Sequence, residues 1–174
     1  MLKIDGISKT FGKGSVNEKL ALDNISLSMH EGEFATVIGG NGAGKSTLLN
    51  CIAGVYDIDC GRIMIDSMDV TFSPEYKRSR YMGRVFQDPM RGTAYDMSIT
   101  ENLAIAYSKG KCIGLGKGVR KSEMKLFRER LEMLELGLED RMDEKVGLLS
   151  GGQRQALTLL MATIVKPKLL LLDE

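Results

Sequence analysis

A glycine-rich stretch that ends in a lysine constrains this chain more than any other feature. Gly39 to Ser46 matches the pattern G-x-x-x-x-G-K-S/T, in which Gly39 and Gly44 are the required glycines and Gly40 and Gly42 are additional. Glycines let backbone N–H groups turn inward around a phosphate, and they permit positive φ angles. The residues before the stretch are apolar, and those after it have helical spacing, so the free N–H groups of a helix N-terminus would also face the anion. The stretch predicts a buried strand, a phosphate-binding loop and a helix.

Two side chains at the end of this stretch suit phosphate chemistry. Lys45 supplies a mobile positive charge for outer phosphates, and the Ser46 hydroxyl can ligate Mg²⁺. The alternative is a flexible glycine-rich turn that happens to meet a lysine.

The length of 174 residues is sufficient for one domain with its own hydrophobic core. The chain carries 24 basic and 23 acidic residues, which argues against nucleic-acid binding by bulk charge. Cys51, Cys60 and Cys112 form no C-x-x-C pair and no signal peptide precedes them, so we expect a reducing, cytosolic compartment. The longest apolar run in a predicted helix, Ala156 to Val165, is too short to cross a bilayer.

The first third of the chain has strand patterns. Alternating apolar residues predict a strand from Leu2 and another over Ile25 to Met29, joined as a hairpin by a loop from Thr10 to Lys19. Phe34 to Ile38 is almost continuously apolar, as expected of a strand covered on both faces in a parallel sheet. Phe11 lies in the predicted loop, where its ring either packs under the hairpin or faces a ligand.

Further elements follow from spacing and from turn residues. They are a helix over Leu48–Ala53 stopped by Gly54, a strand over Arg62–Asp66, a short helix over Pro74–Arg80 and a strand over Arg84–Phe86 that ends at Gln87.

Residues 90–149 change in character and predict an inserted helical subdomain. Ser98 and Glu101 form a capping box, and Lys109–Lys121 is an exposed loop rich in glycine and lysine. Ser122 is expected to cap a helix that ends at Gly137. The apolar stripe of that helix consists of Met124, Phe127, Leu131 and Leu134. The basic residues Lys117, Arg120 and Lys121 are expected on a solvated face, or less often at a partner contact.

A second glycine motif, Leu149–Gln153, lies directly before a predicted helix over Arg154–Val165. Ser150 and Gln153 can form a capping box, but a capping box does not require the two glycines between them. Paired glycines at a helix N-terminus expose backbone N–H groups to a group that must come close, and an anion fits.

The last residues predict a buried strand over Leu169–Leu172 with two carboxylates at its end. Asp173 could hold Mg²⁺ beside the phosphates, and Glu174 is placed to orient or deprotonate a water molecule. Taken alone, the stretch is equally well explained as a strand followed by a polar turn.

Together these motifs resemble the ATP-binding cassette (ABC) family of ATPase domains, from Leu2 to Glu174. Gly39–Thr47 resembles the Walker A loop of that family, and Leu149–Gln153 is identical to its LSGGQ signature. Gln87 resembles the Q-loop glutamine. Leu169–Asp173 with Glu174 resembles the Walker B strand and the catalytic glutamate. Phe11 falls where the family often places an aromatic ring against adenine, which favours the ligand-facing alternative.

The resemblance implies an α/β fold of the ABC type of P-loop NTPase, with an N-terminal antiparallel β subdomain and an inserted helical subdomain. The single ABC ATPase domain would comprise residues 1–89 as β subdomain and Walker A core, 90–149 as helical subdomain, and 150–174 as signature helix and Walker B strand. The chain stops before the D-loop, the switch histidine and the remaining strands of the family. We therefore expect a fragment or truncated product that lacks the C-terminal part of the sheet.

The resemblance also implies an ATP-hydrolysing subunit that binds ATP and Mg²⁺ and pairs head to tail with a second cassette, a homodimer being the expected form. It would act on transmembrane permease subunits, at the cytoplasmic face of a membrane, with no nucleic acid as partner. The implied catalytic residues are Glu174, Gln87 and Lys45, and the implied Mg²⁺ ligands are Ser46, Gln87 and Asp173. The implied nucleotide-binding residues are Phe11, Gly39, Gly40, Asn41, Gly42, Ala43, Gly44, Lys45, Ser46 and Thr47, with Ser150, Gly151, Gly152 and Gln153 acting in trans.

Three functions remain open at this stage. The first is the ATPase subunit of a bacterial importer of a small solute, since Phe86–Pro89 and Met161–Thr163 resemble importers of amino-acid-like solutes. The second is a soluble ABC ATPase of translation or DNA repair. The third is a truncated chain that binds nucleotide but does not hydrolyse it, and we expect the isolated chain of 174 residues to be inactive.

Overall fold

The computed structural model describes residues 1–110 and 119–173, which form two compact units, Met1–Met82 and Gly83–Glu174. Four features singled out from the sequence lie wholly or largely outside the described residues: Cys112, Lys117, most of the predicted loop Lys109–Lys121, and Glu174. Each unit has its own elements and its own buried residues.

The first unit is built on an antiparallel hairpin, as predicted. Strand β1 (Leu2–Phe11) pairs with β2 (Lys19–Met29) on one edge and with β3 (Cys60–Ile65) on the other; β4 (Met68–Asp69) completes the order β2-β1-β3-β4. The alternation in β1 buries Leu2 and Ile4, as expected for a half-buried strand. The hairpin loop is shorter than predicted, because the ladder continues until Phe11 pairs with Lys19.

The prediction of a strand over Phe34–Ile38 is wrong. The segment has no strand assignment, and the side chains of Phe34 and Ile38 are 85% and 90% exposed. A continuous apolar run indicates that a segment needs cover on both faces, but its backbone partners must come from elsewhere in the chain. No strand within residues 1–110 or 119–173 pairs with it.

The helix after the glycine loop is confirmed. Helix α1 (Lys45–Ala53) ends at Gly54, which has a φ of 82° in the left-handed region where glycine is favoured. The later predictions in this unit are close to the observed bounds, with β3 in place of Arg62–Asp66 and α2 (Glu75–Arg78) in place of Pro74–Arg80.

The second unit is mainly helical. Its elements are β5 (Met82–Val85), a 3₁₀ turn (Pro89–Gly92), α3 (Ile99–Tyr107), α4 (Lys121–Glu132), a 3₁₀ turn (Val146–Leu148), α5 (Gly151–Thr163) and β6 (Leu169–Leu172). The Ser98–Glu101 capping box of α3 is confirmed. The helices share one apolar core that includes Ile99, Leu103, Phe127, Leu131 and Leu157.

Helix α4 differs from its prediction at both ends. Ser122 does not cap it, since Arg120 occupies the N-cap position and its backbone N–H donates to Glu123 Oε2 (2.8 Å). The helix ends at Glu132, before the predicted stop at Gly137. The predicted apolar stripe is confirmed for Met124, Phe127 and Leu131, whereas Leu134 packs against the same core from beyond the end of the helix.

The prediction that β6 is a buried strand is only partly correct. This strand pairs with β5 in a two-stranded sheet, in which Leu171 is 5% exposed while Leu170 and Leu172 are 37% and 43% exposed. Successive side chains of a strand point to opposite faces, so Leu171 lies on the covered face of this sheet and Leu170 and Leu172 on the face open to solvent. Among the described residues, no helix is long and apolar enough to span a bilayer.

Candidate nucleotide site

The glycine loop leads directly into α1 and leaves the start of that helix open. Gly42 and Gly44 have φ angles of 81° and 88°, and the N–H of Ala43 donates to Gly40 O (3.3 Å). Gly44 is the N-cap residue, so no side chain caps the helix, and its first turn contains no acidic residue. The first N–H groups of α1 therefore lack the side-chain acceptor that most helices have, which is the arrangement that favours a bound anion.

Lys45 places its ammonium group within the loop itself. Its Nζ donates to the carbonyl oxygens of Gly39 (2.6 Å) and Gly40 (2.8 Å). These carbonyls are neutral, so they hold the ammonium without cancelling its charge. Ser46 and Thr47 follow in the first turn of the helix.

The loop and α1 are held close to the hairpin at their junction. A Cβ atom on Gly44 would lie 2.5 Å from Ala21 O in β2 and 3.3 Å from Leu22 Cδ2. Real Cβ atoms do not approach a carbonyl oxygen so closely, and therefore only glycine fits at this position.

The C-terminal end of α1 is held by a buried arginine. Arg78 is 1% exposed, and its Nη1 donates to Cys51 O (2.8 Å) and Ile52 O (2.9 Å) in the last turn of the helix. Its Nε and Nη2 donate to Ser73 O (2.7 Å) and Thr71 O (2.8 Å). Burial lowers the pKa of the guanidinium, but the starting value for arginine is so high that the group stays charged.

Phe11 lies at the end of β1 rather than in a loop. Its ring is half-buried and meets Tyr56 edge to face, with ring centroids 5.2 Å apart. The preceding residue, Thr10, donates its N–H to Asp59 Oδ2 (2.6 Å), and this hydrogen bond lowers the pKa of the Asp59 carboxyl. The ring is therefore attached to a fixed strand end, where it contacts Tyr56 and has Lys9 Nζ over it, 5.5 Å from its centroid.

In the second unit, Gln87 is exposed and lies two residues beyond the end of β5 at Val85. The next residue, Asp88, is the N-cap of a 3₁₀ turn and accepts from the N–H of Met90 (2.9 Å).

The glycine pair of the second motif begins α5, three residues earlier than predicted. The capping box is confirmed: Gln153 N donates to Ser150 Oγ (3.2 Å) and Ser150 N donates to Gln153 Oε1 (3.1 Å). Gly151 and Gly152 are exposed, and a Cβ on either would meet no atom within 4 Å. Sterics among the described residues therefore do not require glycine at these two positions.

Asp173 continues β6 and faces a basic side chain. Its N–H donates to Val85 O (3.1 Å), and its Oδ2 lies 3.7 Å from Arg84 Nη2. Glu174, predicted to act on water, lies outside the described residues.

The residues predicted to hold Mg²⁺ have suitable chemistry. Ser46, Gln87 and Asp173 offer hydroxyl, amide and carboxylate oxygens, the hard donors that Mg²⁺ prefers, and Mg²⁺ is usually held by few protein groups together with phosphates and water. Within residues 1–110 and 119–173, no group of three or more His, Cys, Asp or Glu side chains could hold a metal by itself. A Mg²⁺ ion bound by any of these residues would take its other ligands from water or phosphate oxygens.

Sequence reasoning missed two side chains of the first unit. Arg78 contacts α1, and Asp59 contacts the end of β1. Arg78 lies in a charged stretch that suggests solvent exposure, and nothing in its spacing signals burial. Asp59 gave no signal either, because its bond to Thr10 joins residues far apart in the chain.

Comparison with known proteins agrees with the motifs. A family profile described as "ABC transporter" matches residues 22–174. The tyrosine transport ATP-binding protein of Clostridioides difficile is 44% identical over the whole chain, which covers 69% of that protein. The spermidine/putrescine import ATP-binding protein PotA of Haemophilus influenzae is 34% identical over the whole chain, which covers 42% of that protein. The chain thus spans between about two fifths and two thirds of the length of such relatives.

Solved structures show the same fold. An ATP-binding cassette solved as a dimer in a post-hydrolysis state, bound to ADP and Pi, matches with a TM-score of 0.82 at 29% identity, over 100% of this chain and 74% of that one. A cassette from an ABC transporter complex of Clostridium perfringens matches with a TM-score of 0.74 at 27% identity, over 99% of this chain and 64% of that one. With its open glycine loop, its capped LSGGQ helix and a family match over most of its length, this chain belongs to the ABC transporter family of ATP-binding cassettes.

Proposed function

We propose that this chain is the ATP-binding and ATP-hydrolysing part of a subunit that powers a membrane transporter. The observation that carries the proposal is the glycine loop, where two positive φ angles and a lysine bonded to the loop carbonyls precede an uncapped helix N-terminus. This combination concentrates positive potential and free N–H donors at one point.

In the proposed site, the backbone amides of Gly39–Thr47 bind the phosphates of ATP. The Lys45 ammonium exchanges its two carbonyl acceptors for phosphate oxygens, which are charged and therefore bind it more strongly. Phe11 presents to adenine the part of its ring that Tyr56 and Lys9 leave open, and these two contacts support its orientation.

Hydrolysis would use the acidic end of β6. Ser46, Gln87 and Asp173 would hold Mg²⁺, and when bound the metal neutralises charge on the phosphate oxygens. Glu174 would accept a proton from the water whose oxygen attacks the γ-phosphorus, while the bond to the bridging oxygen breaks and ADP leaves with that oxygen.

The signature helix would complete the site of a second cassette. Gly151 and Gly152 are exposed and have free space around them, so their N–H groups are accessible to a phosphate on a partner molecule. Ser150, Gly152 and Gln153 would contact the γ-phosphate in this head-to-tail homodimer. A solved relative that is dimeric and bound to ADP and Pi supports the arrangement.

The transporter is proposed to be an importer of a small solute, with this subunit at the cytoplasmic face of the membrane, bound to permease subunits. The support comes from relatives named for tyrosine, spermidine/putrescine and sulfate/thiosulfate transport. An amino-acid-like solute fits best, since the relative that is 44% identical over the whole chain is a tyrosine transport protein.

Replacing Lys45 by alanine tests the proposed nucleotide site. We expect the affinity for ATP to fall by at least about tenfold, because a charge-assisted hydrogen bond contributes about 1.5–3 kcal/mol. Isothermal titration calorimetry with ATP measures the change. The matched control is Lys77→Ala, which removes the same charge from an exposed position on α2 and should bind as the wild type does. Equal affinities for the two variants would contradict the proposal.

Replacing Glu174 by glutamine tests the proposed hydrolytic role. We expect ATP binding to persist and phosphate release to slow by about a hundredfold or more, because removing a general base typically costs that factor. Phosphate release by the subunit assembled with its permease is the measurement, and Glu132→Gln on an exposed position is the control. A Glu174→Gln subunit with normal turnover would overturn the role, whereas a wild-type subunit that binds ATP without turnover would favour a hydrolysis-incompetent chain.

A further inference from the structure

A second lysine lies against the glycine loop. Lys19 is the first residue of β2 and is exposed, and its Nζ lies 3.9 Å from the position of a Cβ atom built on Gly42. In the part of the chain that the structure describes, its ammonium has no ion pair and no hydrogen bond. The loop is therefore approached by two ammonium groups, Lys45 at the carbonyls of Gly39 and Gly40 and Lys19 at Gly42.

This concentration of positive charge is unfavourable unless an anion is present. The uncapped N-terminus of α1 adds its own partial positive charge, and no acidic residue lies in the first turn to balance it. Most lysines on exposed strands extend into water or pair with a carboxylate, as Lys3 does with Asp5 at 3.1 Å. Lys19 instead lies beside Gly42, an exposed glycine of the loop with a φ of 81°.

The ladder of the hairpin fixes the face on which Lys19 lies. Lys19 pairs directly with Phe11, and side chains of directly opposite residues in an antiparallel pair project from the same face. Phe11 is the residue proposed to face adenine. An ammonium on the same face of the hairpin, reaching to Gly42, is then positioned between the base and the phosphate loop.

We propose that Lys19 is a second phosphate-binding lysine of this site, which contacts the phosphates of the bound nucleotide from the Gly42 side of the loop. The inference rests on the proposed function of the loop as a nucleotide site. Because Lys19 lies on the base side, its contact is with the inner phosphates and is made by ADP as well as by ATP.

The test compares Lys19→Gln with Lys3→Gln in the full chain. Both variants remove one positive charge from β1 or β2, but Lys3 is at the opposite end of the hairpin, roughly 25 Å along the strand from Phe11, beyond the range of screened electrostatics at physiological salt. Titration calorimetry with ATP, ADP and inorganic tripolyphosphate gives the affinities. Lys19→Arg, which keeps the charge, serves as the rescue variant.

We expect Lys19→Gln to weaken binding of all three ligands by about three- to tenfold, with a smaller effect at high salt, whereas Lys3→Gln and Lys19→Arg bind within twofold of wild type. Equal affinities for Lys19→Gln and Lys3→Gln would overturn the inference while leaving the nucleotide site intact. Weaker binding of ATP with unchanged binding of tripolyphosphate would also overturn it, because Lys19 would then act through the base. A wild-type chain that binds none of the three overturns both this inference and the proposed function.

Discussion

Replacing Arg78 by methionine is expected to lower the free energy of unfolding of the Met1–Met82 unit by about 3–5 kcal/mol. The side chain is fully buried, and its guanidinium donates to four backbone carbonyls, those of Cys51, Ile52, Thr71 and Ser73. Methionine fills a similar volume but donates no hydrogen bond, so all four carbonyls lose the guanidinium, and of them Cys51 O keeps the N–H of Gly54 as a donor. Urea unfolding followed by hydrogen exchange in peptides of this unit measures the loss.

Arg80→Met is the matched control, since Arg80 lies two residues away and is exposed. Its stability should stay within about 0.5 kcal/mol of wild type. The free energy of unfolding of Arg78→Lys should lie between those of Arg78→Met and Arg80→Met. Lysine keeps the charge but cannot present the planar fork that reaches both α1 and the Thr71–Ser73 segment. An Arg78→Met chain as stable as the Arg80→Met chain would contradict the assignment of these hydrogen bonds.

The role of Arg78 extends to the loop because it fixes the far end of a short helix. Cys51 and Ile52 are in the last turn of α1, where free carbonyls and the helix dipole favour a cation. Gly54 makes the approach possible, since a Cβ there would lie 2.7 Å from Arg78 Nε. A nine-residue helix held at its C-terminal end can present its N-terminal amides to a phosphate in one orientation.

The features that the sequence predicted well depend on local chemistry. The loop from Gly39 to Ser46 is followed by a helix because glycines, lysine and the apolar spacing after them act over a few residues. The same holds for the capping boxes at Ser98 and Ser150, in which the serine and its partner are three residues apart. The stop at Gly54 likewise requires only one residue with a left-handed conformation.

The predictions that failed concern features that depend on residues distant in the chain. The apolar run from Phe34 to Ile38 indicates a need for burial but does not say which strand would bond to it. Arg78 resembles its exposed neighbours in type, and only the fold shows that four carbonyls converge on it. For the site, the residues that carry the chemistry stay a prediction from local motifs, whereas the approach of Lys19 to Gly42 could be seen only from the fold.

Replacing Gly44 by alanine is expected to have the largest effect on the loop itself. A φ of 88° costs a residue with a Cβ about 1–2 kcal/mol, and the Cβ would lie 2.5 Å from Ala21 O. Relief of that contact requires the loop and β2 to separate, which adds a further 1–3 kcal/mol. We expect a loss of about 2–5 kcal/mol in the stability of the first unit, measured by urea unfolding. We also expect ATP affinity to fall more than about tenfold, because the amides that follow Gly44 are displaced.

Gly40→Ala provides the control within the same loop. Gly40 has no positive φ, and a Cβ there would meet no atom within 4 Å, so the change adds the same methyl group without strain. Its stability should remain within about 0.5 kcal/mol of wild type. The comparison separates the loss of a glycine from the loss of the loop geometry. A Gly44→Ala chain that binds ATP as tightly as Gly40→Ala would mean that the contact with Ala21 does not hold the loop in its phosphate-binding form.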